Sequence, residues 1–230
     1  MENLQPQHTN LRYEEDLRAV RGGLLKMGGL VERQISEAME SLVNRDTPKA
    51  REVIARDAEV NRMDVETDEA CIKLLALHQP AARDLRFITT GLKITTDLER
   101  IGDNAVNICE RVLELNEEPQ LKPFIDIPLM ARRAQQMVRG ALDAFVQRDP
   151  IAARAVIEMD DELDSRMEQV FRELLSFMME DPRTTTRALR LMFVAKYFER
   201  MGDQATNIGE QIVFMAEGRV IKHPSLSSER

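Results

Sequence analysis

Apolar residues recur along this chain at steps of three and four positions, which is the spacing of one face of an α-helix. Around residue 105 the pattern forms an unbroken seam of the kind that packs helices into bundles. No segment shows a sustained alternation of apolar and polar residues, so we predict no β-sheet. The pattern predicts six helices, over about residues 11–45, 47–77, 81–117, 125–147, 150–179 and 183–217.

The breaks between these helices indicate two similar halves. Asp46-Thr47-Pro48 ends the first helix, and we expect Thr47 to be the N-cap of the second, with Pro48 as its first helical residue. Arg148-Asp149-Pro150 repeats this signal, and three prolines between residues 116 and 128 mark the boundary of the halves. We therefore predict an all-α protein of two tandem, pseudo-symmetric three-helix bundles: a flexible N-terminus (1–10), the first bundle (11–118), a linker (119–128), the second bundle (129–217, its first helix beginning as early as 125) and a C-terminal tail (218–230).

A twelve-residue phrase occurs once in each half, in the third predicted helix. Residues 99–110 read E-R-I-G-D-N-A-V-N-I-C-E, and residues 199–210 read E-R-M-G-D-Q-A-T-N-I-G-E. Eight of these twelve positions are identical, and the identical positions include acids and an asparagine. A duplicated core would be expected to repeat its apolar positions, so the repeated polar residues indicate that a binding site was duplicated as well.

The repeated polar residues share one side of their helix. At about 100° per residue, Glu99, Asp103, Asn107 and Glu110 cluster on the side away from the apolar seam. Glu199, Asp203, Asn207 and Glu210 do the same in the second half. Carboxylates at positions i and i+4 lie about 6 Å apart and repel each other, which a bound cation would reverse.

The second helix of each half offers a companion set of oxygen ligands. Asp57 and Asn61 are four residues apart in the first half, and Asp160 and Asp164 have the same spacing in the second. If the second and third helices pack antiparallel, the two sets face each other across one groove. The alternative is that these residues are simply the solvated faces of amphipathic helices, as most charged runs are.

Glycines inside the predicted helices require an explanation, because glycine costs about 1 kcal/mol relative to alanine there. Gly102 and Gly202 lie within the repeated phrase and indicate close approach, either of a ligand-bearing group or of a crossing helix. The pairs Gly22-Gly23 and Gly28-Gly29 indicate bends or close packing in the first helix.

The ligand types restrict the metals that the acidic residues could hold. The three histidines are His8, His78 and His223, and none belongs to the acidic sets, which argues against an imidazole site. Oxygen ligands suit hard cations such as Mg²⁺, Ca²⁺, Mn²⁺ or Fe³⁺. The Glu-x-x-His pattern of di-iron bundles is absent, and the sites would be shallow, which favours a structural or regulatory metal.

Composition adds limits on partners and location. The net charge of −8 argues against nucleic-acid binding and leaves cations and basic protein surfaces as partners. Cys71 and Cys109 lie in helical patterns and are expected to be reduced and buried. No leader-like start and no apolar run long enough for a membrane span occur in the sequence, so we expect a cytoplasmic protein.

Three sets of residues together resemble the PhoU family of phosphate-uptake regulators. They are the two E-R-I/M-G-D-x-x-x-N-I phrases, the stretches I-A-R-D-A-E-V-N (54–61) and I-E-M-D-D-E-L-D (157–164), and the P-A-A-R-D-L-R start of the third helix at residues 80–86. The resemblance covers about residues 11–217. It implies two tandem three-helix bundles, a cytoplasmic location and a homodimer.

The resemblance also implies a role and a site. Family members regulate the phosphate regulon negatively, without catalysis, and connect the ATPase subunit of the phosphate ABC transporter (PstB-like) to a sensor kinase (PhoR-like). They bind multinuclear metal clusters, of iron, manganese, magnesium or similar ions. In this chain the metal residues would be Glu99, Asp103, Asn107, Asp57, Asn61, Glu199, Asp203, Asn207, Asp160 and Asp164.

Two other functions stay open, and one residue departs from the repeat. A metal-dependent hydrolase of phosphate compounds would need a nucleophile or base, and the repeated stripes supply no His, Ser or Lys in register. A purely structural helical dimer would need no metal. Asn61 stands where its repeat partner is Asp164, so the first site is expected to bind metal less tightly or to hold fewer ions.

Overall fold

The structure is a computed structural model that describes residues 11–221. Within these residues the chain is helical and contains no strand, so the predicted all-α class is confirmed. The expected flexibility of residues 1–10 and most of the predicted tail lie outside the described residues, and the predicted bundle boundaries stay a prediction. The helices are α1 (Leu11–Val43), α2 (Thr47–His78), α3 (Ala82–Asn116), α4 (Asp126–Gln147), α5 (Pro150–Glu158), α6 (Asp160–Glu180), a 3-10 turn (Pro182–Thr184) and α7 (Thr185–Glu217).

The two halves form the two tandem three-helix bundles that the sequence predicted. The first bundle contains α1, α2 and α3; the second contains α4, the α5–α6 pair and α7. The single helix predicted over about 150–179 is wrong in one respect, because it is interrupted at Met159. Three acids, Asp160, Asp161 and Glu162, follow the break in the first turn of α6. Acids are favoured at a helix N-terminus by the helix dipole, which favours a new helix beginning there.

The turns at residue 46 and residue 149 have matching geometry. Asp46 caps α2, since its Oδ1 accepts from the Lys49 backbone N–H at 2.9 Å. The predictions of Thr47 as N-cap and of Pro48 as first helical residue are therefore each wrong by one position, because α2 begins at Thr47. Asp149 caps α5 in the same way, accepting from the backbone N–H of Ile151. The residue before each cap, Arg45 or Arg148, has left-handed backbone geometry, with φ of 52° and 54°. Arg45 and Arg148 therefore occupy equivalent positions, just after the first helix of each bundle.

The bundles pack side by side through like helices, α1 against α4 and α3 against α7. This pairing is what an approximate two-fold axis between the halves produces. The core runs across the interface, where the Phe87 and Phe145 rings stack with centroids 5.5 Å apart. Cys71 and Cys109 are buried and free, as predicted. None of the helices within residues 11–221 has the length and apolarity that crossing a bilayer requires.

Gly28 sets the distance between α1 and α4. A Cβ atom on Gly28 would lie 2.3 Å from Leu142 Cδ1, whereas a Cβ on Gly29 would meet nothing within 4 Å. We expect Gly28→Ala to lower the free energy of unfolding by about 1–3 kcal/mol through overpacking. Gly29→Ala should instead raise it by up to about 1 kcal/mol, because alanine is the better helix former. Urea denaturation of both variants measures this, and equal effects would show that α1 and α4 are not in close contact.

Candidate metal-binding faces

The structure brings the predicted acids of each half to the edge of the groove between two helices. A Cβ on Gly102 of α3 would lie 3.2 Å from Asp57 Oδ1 of α2. In the second half, a Cβ on Gly202 of α7 would lie 3.0 Å from Asp160 Oδ1 of α6. Both glycines therefore allow the close approach of a neighbouring helix that carries a predicted ligand, so the two explanations that the sequence left open coincide. The match also makes Asp57 and Asp160 equivalent positions of the repeat.

We call the two groups of predicted ligands the first face and the second face. Their members differ in exposure, from buried Asp57 (8% exposed) to exposed Asp103 and Asp203. Glu99 and Glu199 are half-buried, so the predicted ligands on each helix lie at the edge of the core and not on the side of the helix opposite to it. The first face comprises Asp57, Asn61, Glu99, Asp103 and Asn107; the second face comprises Asp160, Asp164, Glu199, Asp203 and Asn207.

In the first face, two amides hold the buried carboxylate. Gln34 Nε2 donates to Asp57 Oδ1 at 3.2 Å, and Asn61 Nδ2 donates to Asp57 Oδ2 at 3.1 Å. Gln34 lies on α1 and is fully buried, and the sequence analysis missed it. The only signal was a polar side chain between Val31 and Ile35 in an otherwise apolar seam. The Asp57 charge is thus already stabilised by donors within the protein.

In the second face, the equivalent carboxylate has no such donors. Met137 lies beside Gly202 where Gln34 lies beside Gly102, and Asp164 replaces Asn61. Asp160 Oδ1 is buried and has no hydrogen-bond partner among the described residues. Burial raises the pKa of Asp160 to about 6, with further increases from Asp164 and Asp203. The charged form of Asp160, which predominates at pH 7, is therefore destabilised unless a positive charge approaches it.

Mutual repulsion extends through both faces. The pKa of Glu99 is raised by burial and then by Asp103, and the pKa of Asp103 is raised by burial and then by Asp57. In the second face, burial and Glu199 raise the pKa values of Asp164 and Asp203. In these four groups burial is the largest cause of the raised pKa and neighbouring carboxylates add to it, while a hydrogen bond with Glu99 lowers the pKa of Asp103.

A lysine side chain of α7 lies beside the second face. Lys196 Nζ lies 2.5 Å from Glu199 Oε1, one helical turn away on α7. The other oxygen of that carboxylate, Glu199 Oε2, is buried without a hydrogen-bond partner in the described structure. The sequence analysis missed Lys196, although its spacing of three residues from Glu199 is a recognised ion-pair spacing on helices. The lysine lowers the pKa values of Asp164 and Asp203, so it offsets part of the repulsion.

The donor chemistry of the faces fits hard cations on an open surface. Within residues 11–221, no three His, Cys, Asp or Glu side chains already converge as the ligands of one ion. The ligands are oxygens laid along a groove, two of them buried without partners, which suits an ion that keeps several waters. His78 lies elsewhere, with its Nε2 3.6 Å from Asp16 Oδ2, and the other two histidines fall outside the described residues.

Both halves of the chain match one known domain. The model of the PhoU domain matches residues 24–112 and again residues 127–212. The chain belongs to the PhoU family. Each matched segment contains one copy of the repeated phrase and one face, so the resemblance drawn from the sequence motifs is confirmed.

Individual members of the family are similar in sequence to nearly the whole of this chain. A protein named phosphate-specific transport system accessory protein PhoU homolog, from Aquifex aeolicus, is 39% identical over 219 residues, covering 95% of this chain and 99% of its own length. The Escherichia coli protein of the same name, without "homolog", is 36% identical over 216 residues, with 94% and 90% covered.

Solved structures of the family share the fold. The crystal structure of PhoU from Pseudomonas aeruginosa has a TM-score of 0.87 at 38% identity, covering 90% of this chain and all of the other. The structure of the phosphate transport system regulatory protein PhoU from Streptococcus pneumoniae has a TM-score of 0.85 at 25% identity, with 91% and 99% covered. Both proteins therefore have the architecture described above.

Proposed function

We propose that this chain is a regulatory accessory protein of a phosphate-specific transport system. The observation that carries the proposal is that family membership extends over both halves, with relatives of that printed name covered at 90% or more of their length. In this proposal the protein is a negative regulator of phosphate uptake and of phosphate-regulon transcription. It is non-enzymatic, works in the cytoplasm as a homodimer, and connects a PstB-like ATPase subunit to a PhoR-like sensor kinase.

The proposed role depends on metal bound to the two faces. The first and second faces would hold the ions through carboxylate and amide oxygens, as multinuclear clusters of iron, manganese, magnesium or similar ions. A bound cation supplies the positive charge that the mutually repelling carboxylates lack. Because Asp103 and Asp203 are exposed, an ion held there would be presented to a partner protein instead of being enclosed.

A gene-replacement experiment tests regulation and metal binding together. We expect deletion of the gene to induce phosphate-starvation promoters in phosphate-rich medium, and the wild-type gene to repress them again. The variant Asp103→Asn/Asp203→Asn should fail to repress and should carry less metal when purified without chelator. Promoter activity is measured with a reporter, and metal content by mass spectrometry of the purified chain.

The matched control removes two exposed carboxylates outside the faces. Glu117→Gln/Glu158→Gln changes the net charge by the same amount and should repress and bind metal like the wild type. Unchanged repression after deletion would refute the regulatory role. Equal metal content in all three proteins would refute the metal sites, while leaving the regulatory role to be judged on the promoter readout alone.

A further inference from the structure

The approximate two-fold axis produces two matching clusters of arginines, and only one of them is neutralised. The neutralised cluster lies where α1 and α3 end and α7 begins. Arg190 Nε lies 2.8 Å from Glu114 Oε2, and Arg190 Nη1 lies 2.5 Å from Glu118 Oε1. Arg187 Nη1 donates to the Pro119 carbonyl at 2.9 Å, and its Nε lies 3.6 Å from Glu118 Oε2.

Arg45 completes the neutralised cluster by capping α3. Its Nη2 donates to the carbonyl oxygens of Leu115, Asn116 and Glu118 at 3.1, 3.0 and 2.6 Å. These are among the last carbonyls of a helix, which have no partner within the helix itself. Every arginine of this cluster therefore has protein acceptors, from either carboxylates or helix-end carbonyls.

The second cluster lies where α4 and α7 end and α3 begins. A cleft of about 240 Å³ opens there, lined by Arg83, Arg86, Arg148, Met215 and Ala216. Arg148 occupies the position of Arg45, as the left-handed residue that ends the first helix of its bundle. Arg83 and Arg86 begin α3 in a R-x-L-R pattern that Arg187 and Arg190 repeat at the beginning of α7.

The carboxylates that pair with the arginines of the neutralised cluster have no counterparts in the second cluster. An offset of 104 residues, four more than that of the repeated phrase, relates Arg83 to Arg187 and Arg86 to Arg190. With this offset Gly218 stands where Glu114 stands and Lys222 where Glu118 stands, and a Cβ on Gly218 would lie 3.8 Å from Arg86 Nη1. No ion pair joins Arg83, Arg86 or Arg148 to a carboxylate in the part of the chain that is described. The arginines are retained at this end of the molecule, but both equivalents of the neutralising carboxylates have been replaced.

Two of the arginines that line the cleft contact uncharged groups of the protein. Arg86 Nε donates to the Met215 carbonyl at 3.3 Å, and the Arg148 guanidinium lies over the Phe87 ring at 5.6 Å. Burial lowers the pKa of Arg148, and repulsion from Arg83 and Arg21 lowers it further. Asp84 and Glu14 oppose this effect, but the Asp84 carboxylate already accepts a hydrogen bond from Tyr13 Oη at 3.2 Å.

We propose that the arginine cleft binds a phosphate-class oxyanion, which takes the place that Glu114 and Glu118 occupy in the opposite cluster. Guanidinium groups hold carboxylate and phosphate oxygens through the same paired N–H donors, so one can substitute for the other. The cleft is smaller than the roughly 300 Å³ at which pockets for drug-sized ligands begin, so it fits a free oxyanion or one phosphate group of a larger ligand.

This site is separate from the metal-binding faces. Along α3, Arg86 and Glu99 are thirteen residues apart, about 20 Å at 1.5 Å per residue. The inference goes beyond the proposed function and does not depend on metal. An experiment on metal-free protein therefore tests it without testing the proposed function.

Calorimetric titration of the EDTA-treated full chain with inorganic phosphate, at low ionic strength and pH 7, tests the proposal. We expect saturable one-site binding that Arg83→Gln/Arg86→Gln weakens at least about tenfold, since the variant removes two of the charged hydrogen-bond donors. The matched control is Arg187→Gln/Arg190→Gln in the neutralised cluster, which should bind phosphate like the wild type. Circular dichroism confirms that each variant is folded.

A second variant supplies the missing carboxylate. Ala216→Glu places an acid in the lining of the cleft and should also weaken phosphate binding at least about tenfold by occupying the arginines. A parallel titration with ATP distinguishes the two sources: tighter binding of free phosphate indicates the inorganic ion, and binding of ATP alone indicates a nucleotide phosphate. Equal affinity in wild type and Arg83→Gln/Arg86→Gln, or no saturable binding of either ligand, would overturn the proposal.

Discussion

At pH 7 and without divalent cations, Asp160→Asn should unfold at higher urea concentration than the wild type. Burial and four neighbouring acids hold the pKa of Asp160 at about 6 in the folded state, against 3.8 for a free side chain. Each pKa unit corresponds to about 1.4 kcal/mol, so we expect the neutral amide to raise the free energy of unfolding by about 1–3 kcal/mol. Asparagine has the same shape, so the change removes charge with little loss of packing.

The stability difference between Asp160→Asn and the wild type should depend on pH in a direction set by the raised pKa of Asp160. Between about pH 4 and pH 6 the folded state keeps a proton on Asp160 that the unfolded chain has released, so the wild type loses stability as the pH rises through this window. The stability of Asp160→Asn relative to the wild type should therefore be near zero at about pH 3.8 and largest above pH 6.

An exposed acid on α4 provides the control for this measurement. Asp143→Asn removes one carboxylate from the same bundle and should leave the stability unchanged within about 0.5 kcal/mol at each pH. Urea denaturation at several pH values, with EDTA present, gives all three curves. If Asp160→Asn and the wild type differ by the same amount at every pH, the charge of Asp160 is not the cause.

Exchanging the one predicted ligand that differs between the two faces should change their metal affinities in opposite directions. Asp164→Asn gives the second face the composition of the first, and Asn61→Asp does the reverse. We expect Asp164→Asn to weaken Mn²⁺ binding at the second face at least about tenfold, because a carboxylate contributes charge that an amide lacks. Asn61→Asp should strengthen binding at the first face, since it also removes the amide that donates to Asp57.

The metal-free state should respond in the opposite direction. Asn61→Asp replaces a hydrogen-bond donor with a charge beside the buried Asp57, so we expect a loss of about 1–3 kcal/mol of stability that Mn²⁺ restores. Calorimetric titration with Mn²⁺ and thermal denaturation with and without it measure both effects. Asn44→Asp, an exposed substitution at the end of α1, controls for added charge. Unaltered Mn²⁺ binding in both exchange variants would show that these positions do not contact the ion.

Much of the fold could be predicted because helical periodicity determines which side of each segment is buried. The seam at Leu98, Ile101 and Ala105 is fully buried in the structure. The errors were local. Asp46 and Thr47 both have side chains that cap helices, so the sequence could not choose between neighbours. Residues around Met159 suit a continuous helix, so the interruption there left no apolar mismatch to detect.

The faces could be predicted only in part, for a physical reason. The repeat and its spacing identified Asp57, Asp160 and the two glycines, since these lie on helices with matching registers. Gln34 and Met137 lie on α1 and α4, and their contact with the faces depends on how those helices pack. The arginine cleft depends even more on tertiary structure, because it joins helix ends from both halves of the chain.

The contact of α1 with α4 and of α3 with α7 has a consequence for how the molecule is assembled. In an isologous dimer each subunit offers one surface to an identical copy of itself, and every contact occurs twice. The two bundles of this chain are related in the same way, and the segment between α3 and α4 links them covalently. This covalent link fixes which half meets which, so the two copies differ in sequence without competing pairings: one has Glu114 and Glu118 beside its arginine cluster, and the other has Gly218 and Lys222 at the corresponding positions.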